Sequence, residues 1–182
     1  MAENRKIAVL LSGRGSNFLA IHDAIERGDL QATICCVISN VAEAPGLARA
    51  REFGLASIYL ASRGLDRLEY DRRLLATLKP FDPALLCLAG FMRILSPVII
   101  EAYRGRILNI HPALLPSFPG LHAQRQALEH GVRITGCTVH LVDEGVDTGT
   151  ILMQRAVAVE NGDDEAALSA RILEQEHDMY WR

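Results

Sequence analysis

Asn109 and His111 stand two residues apart at the end of the short apolar stretch Arg106-Ile-Leu-Asn-Ile-His, and Pro112 follows at once. Proline supplies no N–H and pushes the residue before it away from helix, so a strand over 106–109 gives way here to a loop. Side chains two apart in a strand point the same way. With strand geometry carried through His111, an amide and an imidazole share one face at the strand's carboxyl end, where open α/β sheets place ligands. Both are hydrogen-bond donors, suited to an oxygen that gains negative charge during a reaction. A turn cap and a surface histidine are the alternative reading. Prolines at 112, 116 and 119 argue for a rigid, shaped loop and so for function.

Three other stretches carry chemical potential. Ser12-Gly13-Arg14-Gly15-Ser16-Asn17 lies between an apolar run and an amphipathic segment. A glycine-rich turn opening a first helix presents backbone N–H groups at the positive end of the helix dipole, a phosphate site. The third glycine of a dinucleotide fingerprint would fall at Phe18, so a mononucleotide ligand fits better. A plain turn capped by Ser16 or Asn17 is the alternative. Gly90-Phe91-Met92-Arg93-Ile94-Leu95 sets four apolar residues around one arginine, which suits a flat apolar ligand or, alternatively, core packing under the next helix. Asp143-Glu144-Gly145-Val146-Asp147-Thr148-Gly149-Thr150 is an acidic, glycine-punctuated loop whose spacing fits no EF-hand.

The elements that must position these residues alternate. Strands are expected at 7–11, 33–38, 57–60, 84–89, 106–109, 137–142 and 150–159. Helices are expected after Ser16, from Pro45 to Phe53, from Asp66 (carrying Leu68, Leu74, Leu75 and Leu78) to before Pro80, over 121–129 and from Asp163 to His177. The fold class is therefore α/β, a Rossmann-like, doubly wound and mostly parallel sheet with right-handed crossovers. The strand over 150–159 is expected at the sheet edge.

With 182 residues, 49% apolar and 23% charged, the chain reads as one globular domain. Its net charge of -3 gives no general reason to expect nucleic acid or a membrane as partner. The four cysteines form no metal pattern and read as reduced core thiols of a cytoplasmic protein; no metal is expected. The opening Met-Ala-Glu-Asn-Arg-Lys lacks the apolar core of a signal peptide. An apolar edge strand or helix could pair two copies in a homodimer, though no sequence feature decides it.

Asn109-Ile-His-Pro-Ala-Leu-Leu-Pro116, preceded by Gly90-Phe-Met-Arg-Ile-Leu95 and followed by Asp147 in Val-Asp-Thr-Gly-Thr, resembles the formyltransferase family that uses 10-formyltetrahydrofolate. The likeness runs from Lys6 to about Tyr180 and lies nearest to members that formylate glycinamide ribonucleotide. It implies 10-formyltetrahydrofolate as co-substrate and Asn109, His111 and Asp147 as catalytic residues, with His140 near the reaction centre. It also implies ribonucleotide contacts from Gly15, Ser16, Asn17 and Glu176. Folate contacts are implied from Arg67, Met92, Arg93, Ile94, Leu95, Asn109, Asp143 and Asp147, the backbone of 92–95 reading the pterin. Thr150 stands where family members often carry proline. Members commonly continue past this point, so 1–182 is a single domain that either ends naturally or lacks a short carboxyl-terminal segment.

Formyl transfer passes through a tetrahedral intermediate, for which Asn109 and His111 would hold the oxygen while Asp147 keeps His111 protonated. Two readings compete. A 10-formyltetrahydrofolate hydrolase would use the same trio, and a catalytically silent nucleotide-binding module would need only the Gly15 turn.

Overall fold

The computed structural model describes residues 5–182; most of the opening segment read above for a leader lies outside the described residues. The chain forms two compact units, one ending at Leu108 and one running from Asn109 to Arg182.

The first unit alternates strand and helix: β1 (Lys6–Leu11), α1 (Ser16–Glu26), β2 (Thr33–Ser39), α2 (Pro45–Glu52), β3 (Ser57–Tyr59), α3 (Arg67–Leu78), β4 (Leu85–Leu88), α4 (Pro97–Ala102) and the start of β5 (Ile107–His111). The sheet order is β3-β2-β1-β4, then β5. β1 pairs in parallel with both β2 and β4, and β2 with β3. Ala8, Val9, Leu10 and Leu11 have no exposed surface, as a central strand covered on both faces requires. Phe18 and Ile21 of α1, Leu47 of α2, and Leu74 and Leu78 of α3 are buried with them, each side chain contributing about 1.5–3 kcal/mol.

α3 departs from expectation on one point. Its buried residues are Tyr70, Asp71, Leu74 and Leu78, whereas Leu68 is exposed. A carboxylate thus occupies the apolar face.

In the second unit β5 continues to His111, two residues beyond the expected strand end, because the chain leaves the ladder only at Pro112. α5 (Ala123–Glu129), β6 (Ile134–Leu141), β7 (Ile151–Ala158) and α6 (Glu165–Met179) follow. α5 starts two residues late, since His122 takes a left-handed conformation at its N-cap. β5, β6 and β7 are neighbours in that order, β6 and β7 antiparallel, with β7 last and largely exposed. A mostly parallel sheet is the architecture the alternating pattern called for; the antiparallel pairing of β6 with β7 is a feature that pattern did not specify. Among the described residues, no helix is long and apolar enough to cross a membrane.

Candidate active site

Asp147 is the hub of a polar cluster in the second unit. Its Oδ2 accepts the Gly120 N–H at 2.8 Å and faces Nδ1 of His111 at 3.3 Å. Its Oδ1 lies 3.5 Å from both Nδ2 of Asn109 and Nε2 of His140. Asn109 and His111 reach the same carboxylate because they stand two apart on β5. Asp147 itself takes φ 55°, a left-handed conformation that glycine, asparagine and aspartate tolerate best. The loop around it needs two small residues. A Cβ on Gly149 would lie 1.8 Å from the Leu141 carbonyl oxygen, and one on Gly145 would lie 2.0 Å from Oγ1 of Thr148.

Partners fix what each ring can do. Nε2 of His111 donates to the Phe118 carbonyl at 2.8 Å. With a carbonyl on one nitrogen and a carboxylate on the other, the ring can donate from both only as an imidazolium. Nδ1 of His140 donates to the Leu141 carbonyl at 2.9 Å, and its Nε2 stands 3.1 Å from the Asn109 amide nitrogen and 3.5 Å from Asp147 Oδ1: protonated it donates to the carboxylate, neutral it accepts from the amide. Both rings are buried, His111 at 4% exposure and His140 at 2%. Burial pushes the Asp147 carboxyl upward, but the His140 hydrogen bond, the Gly120 N–H and the charges of His111 and His140 outweigh it and hold the group below the usual carboxylate range. A carboxylate, an imidazole and an amide so arranged can stabilise an oxyanion and exchange protons.

The loop after His111 is pinned by residues that sequence reasoning passed over. The buried Thr138 hydroxyl donates to the Ala113 carbonyl at 2.7 Å and accepts from the Leu115 N–H and from Nε2 of Gln154, both at 3.0 Å. Gln154 also donates to the Leu115 carbonyl. Asp143 spends Oδ1 of its carboxylate within its own loop, on the Gly145 N–H and the Thr148 hydroxyl. Glu176 is buried on α6; burial first, and the Glu176 charge second, push the Cys137 thiol up to about 12.

The remaining candidates belong to the first unit. Gly15 is the N-cap of α1 at φ 74°, with no side-chain cap, so Ser16 and Asn17 are the first helical residues instead of the expected alternative caps. The first N–H groups of α1 have no partner within the helix. Gly46 presses on this turn, since a Cβ there would meet Cδ2 of Leu11 at 2.8 Å and Cα of Gly15 at 3.0 Å. Arg67 is exposed at the start of α3. Met92 and Ile94 are 67% and 54% exposed, Leu95 is buried and Arg93 lies between these extremes. The Met92 N–H donates to Oγ of Ser12 at 2.8 Å, which removes one of the backbone groups expected to read a ligand.

All four cysteines are unbridged thiols. Among the described residues, no group of three or more His, Cys, Asp or Glu could hold a metal ion.

The sequence pattern described as "Formyl transferase" matches residues 5–182. Phosphoribosylglycinamide formyltransferase of Escherichia coli (strain K12) is 47% identical over 175 residues, covering 96% of this chain and 82% of that protein. The trifunctional purine biosynthetic protein adenosine-3 of Drosophila pseudoobscura pseudoobscura is 50% identical over 176 residues, 95% of this chain but only 13% of that protein. The chain thus spans a small part of the trifunctional relatives and most of the single-function ones. The crystal structure of glycinamide ribonucleotide transformylase 1 from Symbiobacterium toebii superposes with a TM-score of 0.97 at 45% identity, covering all of this chain and 86% of that one.

Proposed function

The chain belongs to the formyl transferase family, and on that footing we propose that it moves the formyl group of 10-formyltetrahydrofolate to the amine of glycinamide ribonucleotide, a step of de novo purine biosynthesis. The observation that carries the chemistry is the Asp147 carboxylate bonded at once to His111, Asn109 and His140.

In the proposed mechanism the substrate amine attacks the formyl carbon, and the resulting oxyanion is held by Asn109 and His111. Asn109 Nδ2 makes only a long 3.5 Å contact to Asp147, so that N–H is the one that turns to the oxygen. His111 exchanges the Phe118 carbonyl for the oxyanion at Nε2, while Asp147 keeps its hold on Nδ1. Asp147 receives the proton leaving the amine and passes it on to the departing folate nitrogen as the carbon–nitrogen bond breaks, which returns the carboxylate to its ionised form. No covalent enzyme intermediate is needed.

Substrate contacts follow in the same reading. The first turn of α1, Gly15 to Asn17, takes the ribonucleotide phosphate, and Glu176 the ribose. Met92 and Ile94 take the pterin with their exposed side chains and Arg93 and Leu95 through their backbone, with Arg67, Asn109, Asp143 and Asp147 as further folate contacts. Asp143 serves through its backbone or Oδ2, since Oδ1 is engaged within its own loop. Residues 1–182 act as a single catalytic domain. The free thiols fit a cytoplasmic protein. Exposed Ile151 and Leu152 on β7 offer an apolar edge for a homodimer. Sedimentation showing only monomer at tens of micromolar would remove that last element.

The deciding experiment follows tetrahydrofolate release by absorbance with and without glycinamide ribonucleotide. Release only with the ribonucleotide supports the transferase. Equal release without it makes the protein a hydrolase, and ribonucleotide binding with no release makes it a silent binding module.

A further inference from the structure

The loop from Met92 to Leu95 has its polarity inverted for a surface loop: the two large apolar side chains Met92 and Ile94 face outward, and the arginine between them turns in. Cζ of Arg93 lies 4.2 Å from the ring centroid of Tyr70, a residue with no exposed surface. The next residue of α3, Asp71, is a carboxylate only 1% exposed. Its Oδ2 accepts the N–H of Ser96, the N-cap of α4, at 2.5 Å, where the Ser96 hydroxyl makes no cap of its own. At the loop's other end Oγ of Ser12 holds the Met92 N–H while donating to Oδ1 of Asn40 at 2.6 Å.

We propose that Asp71, with Tyr70, is a positioning residue for the formyl donor: Tyr70 stacks on Arg93 and keeps it inward while Asp71 fixes the loop's carboxyl end through Ser96, so that Met92 and Ile94 form a preformed apolar platform for a flat ring. Two anchors and a stacked arginine leave the segment between them little freedom, and a ligand then loses less in ordering it. Cation–π stacking on the Tyr70 face favours the inward arginine, the more so where it is desolvated. Burial raises the Asp71 carboxyl above its ordinary value, against the pull of the Ser96 N–H, Arg93 and Arg67. The proposal rests on the reading of 92–95 as the donor site.

Asp71→Asn keeps an oxygen for the Ser96 N–H but removes the negative charge that Arg93 and Arg67 favour. KM for 10-formyltetrahydrofolate is expected to rise at least fivefold, with KM for glycinamide ribonucleotide and kcat within twofold of wild type and Tm at pH 7 unchanged or higher. Tyr70→Leu is expected to shift the same constant and serves if the asparagine variant does not fold. Arg93→Met combined with Asp71→Asn is expected to be no worse than the poorer single variant; additive losses would overturn action through Arg93. Met92→Ser and Ile94→Ser separate the two readings. If they leave the donor KM unchanged, the donor site is elsewhere and both readings fall. If they raise it while Asp71→Asn and Tyr70→Leu do not, or if those two shift both KM values equally, the present proposal alone fails.

Discussion

At the scale of single residues, Asp147 decides the most, because one carboxylate orients two imidazoles and an amide. His111→Ala is expected to lower kcat about 100-fold or more, by the usual scale for general acid–base and oxyanion groups, with an unchanged circular dichroism spectrum. For Asp147 the informative substitution is asparagine. Alanine at φ 55° would add strain of roughly 1–2 kcal/mol, confusing lost chemistry with lost fold. Asp147→Asn is expected to cost a similar factor in kcat while remaining folded; an unfolded variant would recast the residue as structural. Its pH dependence has a definite sign. Folding depresses the Asp147 pKa, so its ionised form adds stability above the unfolded value of about 3.9, and this is lost as pH falls through the folded value. The Tm deficit of Asp147→Asn should be widest near neutrality and close in acid; a deficit independent of pH would contradict the assigned network.

At the scale of elements, close backbone approaches matter more than side-chain chemistry. The α1 turn proposed for phosphate is shaped from behind by α2, whose Gly46 N–H also donates to the Gly13 carbonyl at 3.1 Å. Gly46→Ala is expected to push this turn outward and raise KM for the ribonucleotide severalfold, with KM for the folate unaffected. Steady-state kinetics varying each substrate in turn would check it, and equal effects on both would count against a local role. The Gly15 turn was legible as a glycine-rich strand–helix junction; its neighbour Gly46 was not, because the contact joins residues 31 apart. Asp71 had a signal that could have found it. With Leu74, Leu75 and Leu78 it follows the i, i+3, i+4, i+7 spacing of a buried face, so a carboxylate there asked for a partner.

For the molecule as a whole, ligands that bind only the folded chain should stabilise it by mass action. At about 100 times Kd the gain is about 2.7 kcal/mol, or roughly 5–10 °C in Tm for a chain of this size. Glycinamide ribonucleotide and a stable 10-formyl folate analogue should each produce such a shift, read by differential scanning fluorimetry. No shift with the ribonucleotide would oppose its assignment as acceptor.

The sequence by itself determined the alternation of strand and helix, and with it the mostly parallel sheet, because buried strands and amphipathic helices write their periods into local composition. It also placed Asn109 and His111 on one strand face, since two-residue spacing is a local property. Only the tertiary structure decided which partners those groups meet. Asp147 lies 36 residues beyond His111, and Phe118, Gly120 and His140 reach the same cluster through chain turns that no local pattern encodes. The protonation that each ring can carry follows from those partners. It could not be read before the chain had brought a carbonyl to one nitrogen and a carboxylate or amide to the other.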